Sequence, residues 1–156
     1  MEKLKNDIPY ELKFFSQGCE EEILSFQNSS YVVCGYVGQK ELDEEILNAD
    51  YLINIGNLVS HSLPSKLITY MSYGKPIIHF CLQEDDVCIE YLEKYPLSLV
   101  IKYNESLDSA SERIKEFINS TDKKVIDFDD LRKMFKMNCP EYSAKLIIEN
   151  LEKNFE

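Results

Sequence analysis

Between Ser60 and Phe80 the sequence spells a polar loop, a short helix and a buried strand, each with its own start and stop signal. Pro64 suits the first helical position, where its missing N–H costs nothing, and Gly74 suits the residue just past the helix, where a left-handed backbone is wanted. Leu67, Ile68 and Met71 fall on one face at helical spacing, and Ser65, Lys66 and Thr69 on another. The run from Ile77 to Leu82 is apolar apart from His79, as expected of a parallel strand covered on both sides. His79 inside it reads as a structural residue.

The rest of the chain repeats this alternation. Strands are expected at residues 12–16, 31–34, 51–55, 77–82 and 97–101, and helices at residues 20–26, 40–48 and 87–94. Leu42, Ile46 and Leu47 are spaced for the apolar face of the second of these helices. A further helix, capped by Asp108, runs to Asn119, and two helices broken at Pro140 follow Phe128. Strands alternating with helices predict an α/β fold with a parallel sheet in a single domain spanning residues 1–156. Ligands of such sheets sit outside the carboxyl ends of the strands, which here are the loops at residues 16–18, 35–38, 56–63, 83–86 and 103–104.

Composition removes several function classes. A net charge of −11 over 156 residues leaves no basic stripe for a nucleic-acid backbone. Apolar runs fall short of membrane-spanning length, and the N-terminus lacks the apolar core of a signal peptide. The five cysteines show no CxxC pairing and there are only two histidines. Reduced, buried thiols in a cytoplasmic protein are expected rather than a metal site, with peripheral attachment at the inner face of a membrane left open. The acidic runs Glu20–Glu21–Glu22, Asp85–Asp86 and Asp129–Asp130 read as solvated faces, helix starts or surface loop.

Chemistry enters at the start of the Pro64 helix. Its first amides have no internal partner and carry the positive end of the helix dipole, which suits a phosphate or diphosphate. Ser65 adds a hydroxyl and Lys66 an ammonium. The residues alone also fit a plain reading in which Ser62 caps an ordinary helix and Lys66 is simply solvated.

At this point a family pattern is visible. Ala49–Asp50–Tyr51–Leu52–Ile53, then Leu63–Pro64–Ser65–Lys66–Leu67, Tyr70–Met71 and Gly74–Lys75–Pro76–Ile77–Ile78 resemble the nucleotide-sugar-binding half of group 1-like GT-B glycosyltransferases. Gly35–Tyr36–Val37 followed by Glu41–Leu42 resembles the same family's segment further upstream. The resemblance runs from about Phe14 to the C-terminal helices. It implies a Rossmann-like parallel sheet sandwiched by helices, the C-terminal half of a GT-B fold, with the N-terminal acceptor domain absent or supplied by a separate chain.

The resemblance further implies the roles of particular residues. Ser65 and Lys66 would hold the donor's diphosphate beside Ser62 and Pro64, and the loop of Tyr36, Val37 and Gly38 would meet the nucleobase. His61 and Thr69 stand where many retaining members carry two glutamates, one on the donor sugar and one on the ribose. Neither is acidic here, so no catalytic residue is assigned beyond His61 as a candidate. The donor would be a nucleoside-diphosphate sugar used in cell-envelope polysaccharide synthesis, with no further cofactor and no metal. This chain alone would be inactive, and an apolar seam left by the missing half would favour a homodimer. The departures at His61 and Thr69 also suit a second reading, an interaction module that keeps the fold without the sugar-nucleotide chemistry.

Overall fold

A computed structural model describes residues 8–15, 24, 31–59, 62–122 and 124–154. Its strands are β1 (Leu12–Phe14), β2 (Tyr31–Val33), β3 (Leu52–Ile55), β4 (Ile77–Phe80) and β5 (Ser98–Ile101). Its helices are α1 (Gln39–Asn48), α2 (Ser65–Ser72), α3 (Cys88–Leu92), α4 (Leu107–Thr121), α5 (Phe128–Met134) and α6 (Pro140–Asn154), with a 3-10 turn at Lys136–Asn138. The expected helix at residues 20–26 lies outside the described residues except for Leu24, which is helical. No helix of the described residues is long and apolar enough to cross a membrane.

The fold is α/β and Rossmann-like, with every strand pair parallel. The strands divide into two small sheets, β1–β2 and β3–β4–β5. β4 is the centre of the larger sheet: Ile77 lies opposite Leu52 on one side and Ser98 on the other. Consecutive residues of a strand point to opposite faces, and β4 is buried on both. Ile77 joins Leu67 and Met71 of α2, Cys88 and Leu92 of α3 and Leu131 of α5 in one core. Ile78 joins Leu99 and Ile101 of β5 and Ala110 and Ile114 of α4 in the other. Helices therefore cover both faces, which is why the apolar run carries no regular alternation.

The smaller sheet is tied to the rest by side chains. Lys13 in β1 pairs with Glu45 of α1 at 2.7 Å, and Tyr10 packs against the second core. Lys75, just before β4, donates to the carbonyls of Leu47 and Ala49. That places a cation at the negative end of the α1 dipole. Gly74 follows α2 at φ +70°, and its carbonyl accepts the amide of Ile126 at 2.8 Å. A Cβ at Gly74 would meet that segment's backbone, so the position needs glycine for both conformation and space.

Several local expectations are corrected. Pro64 is the residue before the first turn of α2 (φ −64°, ψ 123°) rather than its first helical residue. Ile68 and Leu47 are 40% and 60% exposed, because the short helices α1 and α2 each bury a narrower stripe than their apolar spacing offers. Ser106, not Asp108, caps α4, accepting the amide of Ser109 at 3.2 Å. The break expected at Pro140 is present, and Pro140 itself opens α6, a position where proline loses no bond.

The start of α4 is fastened to β5 through Glu105. Its carboxylate accepts the amide of Lys102, the hydroxyl of Ser109 and the guanidinium of Arg113, whose other nitrogen reaches the Val100 carbonyl at 3.0 Å. Burial works against its charge, but these three donors outweigh burial and hold the carboxyl below the usual glutamate range. A folded pKa below the unfolded one adds stability above the unfolded value and loses it as pH falls through the folded value. Glu105→Gln should therefore lower the unfolding free energy by about 1 kcal/mol at pH 7. In urea titrations the difference from wild type should shrink steadily below about pH 4.

Candidate functional site

The carboxyl end of β3 leads through Gly56 and the loop after it into α2. Asn57 steadies this loop, its Nδ2 donating to the Ser62 carbonyl at 2.8 Å. The same nitrogen also reaches the Ser62 hydroxyl at 3.4 Å, and among the described residues no side chain caps α2. The amide of Leu67 reaches back to the Pro64 carbonyl at 3.0 Å, while those of Ser65 and Lys66 have no hydrogen-bond partner among the described residues. Ser65, Lys66 and Thr69 are all exposed. The Thr69 hydroxyl donates to the Ser65 carbonyl at 3.3 Å, so it is turned along its own helix.

The other expected site residues follow a strand of the smaller sheet or lie outside the described residues. Tyr36, Val37 and Gly38 follow β2, in the smaller sheet. Gly38 precedes the first turn of α1 in extended conformation, and Tyr36 is 77% exposed. His61 lies outside the described residues.

Sequence reasoning missed a buried polar cluster in the same region. Asn54 of β3 and His79 of β4 are register partners, so their side chains share a face and meet, Nδ2 to Nδ1 at 2.8 Å. The Asn54 amide donates, which makes Nδ1 the acceptor and leaves the ring proton on Nε2. That N–H donates to Asp86 Oδ2 at 2.9 Å, and the other carboxylate oxygen accepts the amide of Cys88 at 2.9 Å. His79 is fully buried and Asp86 is 6% exposed. Gly56 is small for a reason: a Cβ there would stand 2.1 Å from Asp86 Oδ2.

Asp86 is therefore not the surface acid expected of an Asp85–Asp86 pair; only Asp85 is exposed. Burial opposes its charge, yet the bonds from Cys88 and His79 prevail and hold the carboxyl below the usual aspartate range. The signal that could have found it was His79 itself. A polar side chain in a doubly covered strand needs buried partners, and Asn54 sits at the matching place in the neighbouring strand.

Two thiols border the cluster. Burial, then the Asp86 charge, push Cys81 up to about 11, and burial with Asp86 contacts pushes Cys88 up to about 12. Both are thiols at neutral pH, unsuited to nucleophilic attack. Both ring nitrogens of His79 are engaged inside the protein, so it is not placed to act as a general base on a bound substrate. A ring nitrogen of His79, Cys81 Sγ and a carboxylate oxygen of Asp86 nevertheless lie within 4.8 Å of one another, three atoms of the kind that hold a metal ion.

No protein-family model matches the chain, and no curated protein or solved structure shows a significant match to it.

The two neighbouring acids should separate sharply on substitution. Asp86→Ala leaves two buried donors without their acceptor and should cost about 2–4 kcal/mol of unfolding free energy. Asp85→Ala should stay within about 0.5 kcal/mol of wild type. Urea unfolding of both variants measures the contrast.

Proposed function

We propose that this chain is the donor-binding portion of a glycosyltransferase that transfers a sugar from a nucleoside-diphosphate donor in cell-envelope polysaccharide synthesis. The observation that carries this reading is the start of α2. Its Ser65 and Lys66 amides are unpartnered among the described residues and its side chains are exposed, at the carboxyl end of a strand in a parallel sheet. Free amides at a helix start favour a phosphate oxygen, and no side chain of the described residues competes for them.

In this reading the Ser65 and Lys66 amides bind the diphosphate, and the Lys66 ammonium offsets the charge that develops as it departs. Local groups must do this work, because a net charge of −11 repels an anion at longer range. The loop of Tyr36, Val37 and Gly38 meets the base, with the exposed Tyr36 ring available for stacking. The acceptor, and the groups that complete catalysis, come from a second domain. Ile55, Leu58, Val59 and Leu82, apolar and exposed, are side chains that such a domain or a second copy of the chain would cover. A cytoplasmic location follows from the intracellular supply of such donors.

A second reading, an interaction module without sugar-nucleotide chemistry, is favoured by Thr69. Its hydroxyl is committed to the Ser65 carbonyl, and no carboxylate replaces it for a ribose.

Titration of the labelled protein with UDP, GDP, dTDP and CMP, followed by amide chemical shifts, decides between the two. The donor-site reading expects shifts concentrated at residues 35–38 and 62–69 for one nucleotide. Lys66→Ala should weaken that binding about three- to ten-fold. No shifts at millimolar nucleotide would favour the interaction module.

A further inference from the structure

We propose that His79, Cys81 and Asp86 form a binding site for a divalent transition metal of the zinc type. Imidazole nitrogen, thiolate sulfur and carboxylate oxygen are the three ligand kinds that zinc accepts. Their atoms already lie within 4.8 Å of one another, and a tetrahedral ion with bonds of about 2.0–2.3 Å holds its ligands about 3.3–3.8 Å apart. Hard ions such as Mg²⁺ and Ca²⁺ are disfavoured, since they require an oxygen-rich set. The donors sit on different segments: His79 in β4, Cys81 just past it and Asp86 on the approach to α3. A shared ion would thus pin the loop between β4 and α3 to the sheet.

Charge and protons balance. The ion takes the place of the Nε2 proton that now lies between His79 and Asp86. That proton moves to Nδ1, and Asn54 turns its amide so that Oδ1 accepts it, the outer hydrogen bond that metal-bound histidines need. The Cys81 thiol releases one proton to solvent on binding. A 2+ ion, one thiolate and one carboxylate then sum to zero, the tolerable total for a buried site. The Cys88 amide continues to orient the carboxylate from its other oxygen. Three protein ligands leave a fourth tetrahedral position for a solvent molecule, and Cys81 and Asp86 each keep 6% exposure.

The test is titration of chelator-treated full-length protein with Co²⁺, followed by optical absorption. Saturation at one equivalent should bring a thiolate-to-cobalt charge-transfer band and the intense visible bands of a tetrahedral ion, and Zn²⁺ should abolish both. Cys81→Ser should remove the charge-transfer band and weaken binding at least tenfold, while Cys88→Ser should retain it. Absence of the band in wild type, or its persistence in Cys81→Ser, overturns the site. Should Cys81→Ser fail to fold, X-ray absorption of the zinc-loaded wild type gives the answer. One sulfur at about 2.3 Å with nitrogen and oxygen at about 2.0–2.2 Å supports the assignment, and a shell without sulfur overturns it.

Discussion

The structure depends on the double burial of β4. Its two edges are bonded to β3 and β5, and its two faces supply both cores. Ile77 and Ile78 are 0% and 3% exposed, each worth roughly 1.5–3 kcal/mol on burial. A strand so enclosed has no solvent-facing side on which to place a polar residue. His79 must therefore find its partners inside the protein, and the chain provides one from each direction. Asn54 comes from the adjacent strand at the same register position, and Asp86 folds back from the following loop. The histidine is thus the joint between the sheet and the loop at its carboxyl edge.

That joint explains small features that look unrelated. Gly56 lacks a side chain because the Asp86 carboxylate occupies the space where one would go. The short helix α3 has no side-chain cap on its first turn, but its first amide, that of Cys88, is bonded to Asp86. Tyr95, which is 1% exposed, reaches the carbonyl of Lys75 through its hydroxyl at 2.8 Å. The segment leaving β4 is therefore anchored near both ends of that strand. Lys75 itself closes α1, so the same few residues before and after β4 organise helices on both sides of it in sequence.

Much of this was legible in the sequence. The Ile77–Leu82 run announced a parallel strand covered on both faces, and Gly74 marked the end of α2 because only a left-handed turn fits there. The structure bears out the α/β class and the order of elements from residue 31 onward to within a few residues. What was not legible depended on which residues meet across the fold. Asp85 and Asp86 are identical in type and adjacent, yet one is solvated and one is buried. Their difference lies in the position of His79, not in local sequence. Ser62 is no cap because Pro64 holds the position before the first turn of α2, which leaves the serine two residues too early in the chain. Ile68 and Leu47 have helical spacing, but spacing does not say how wide a stripe the neighbouring strand will cover.

The two polar features at this edge differ in a way that limits their chemistry. In the Asn54–His79–Asp86 chain both ring nitrogens and both carboxylate oxygens are bonded to partners inside the protein. The start of α2 has the opposite character: its Ser65 and Lys66 amides are unpartnered among the described residues, the Lys66 side chain is exposed, and Asn57 bonds Ser62 just before it. In the proposed reading anion recognition falls to α2, while the buried chain fixes the loop between β4 and α3 to the sheet. The two features make sense together only because both follow strands of one parallel sheet, where the carboxyl ends collect the loops on a single side.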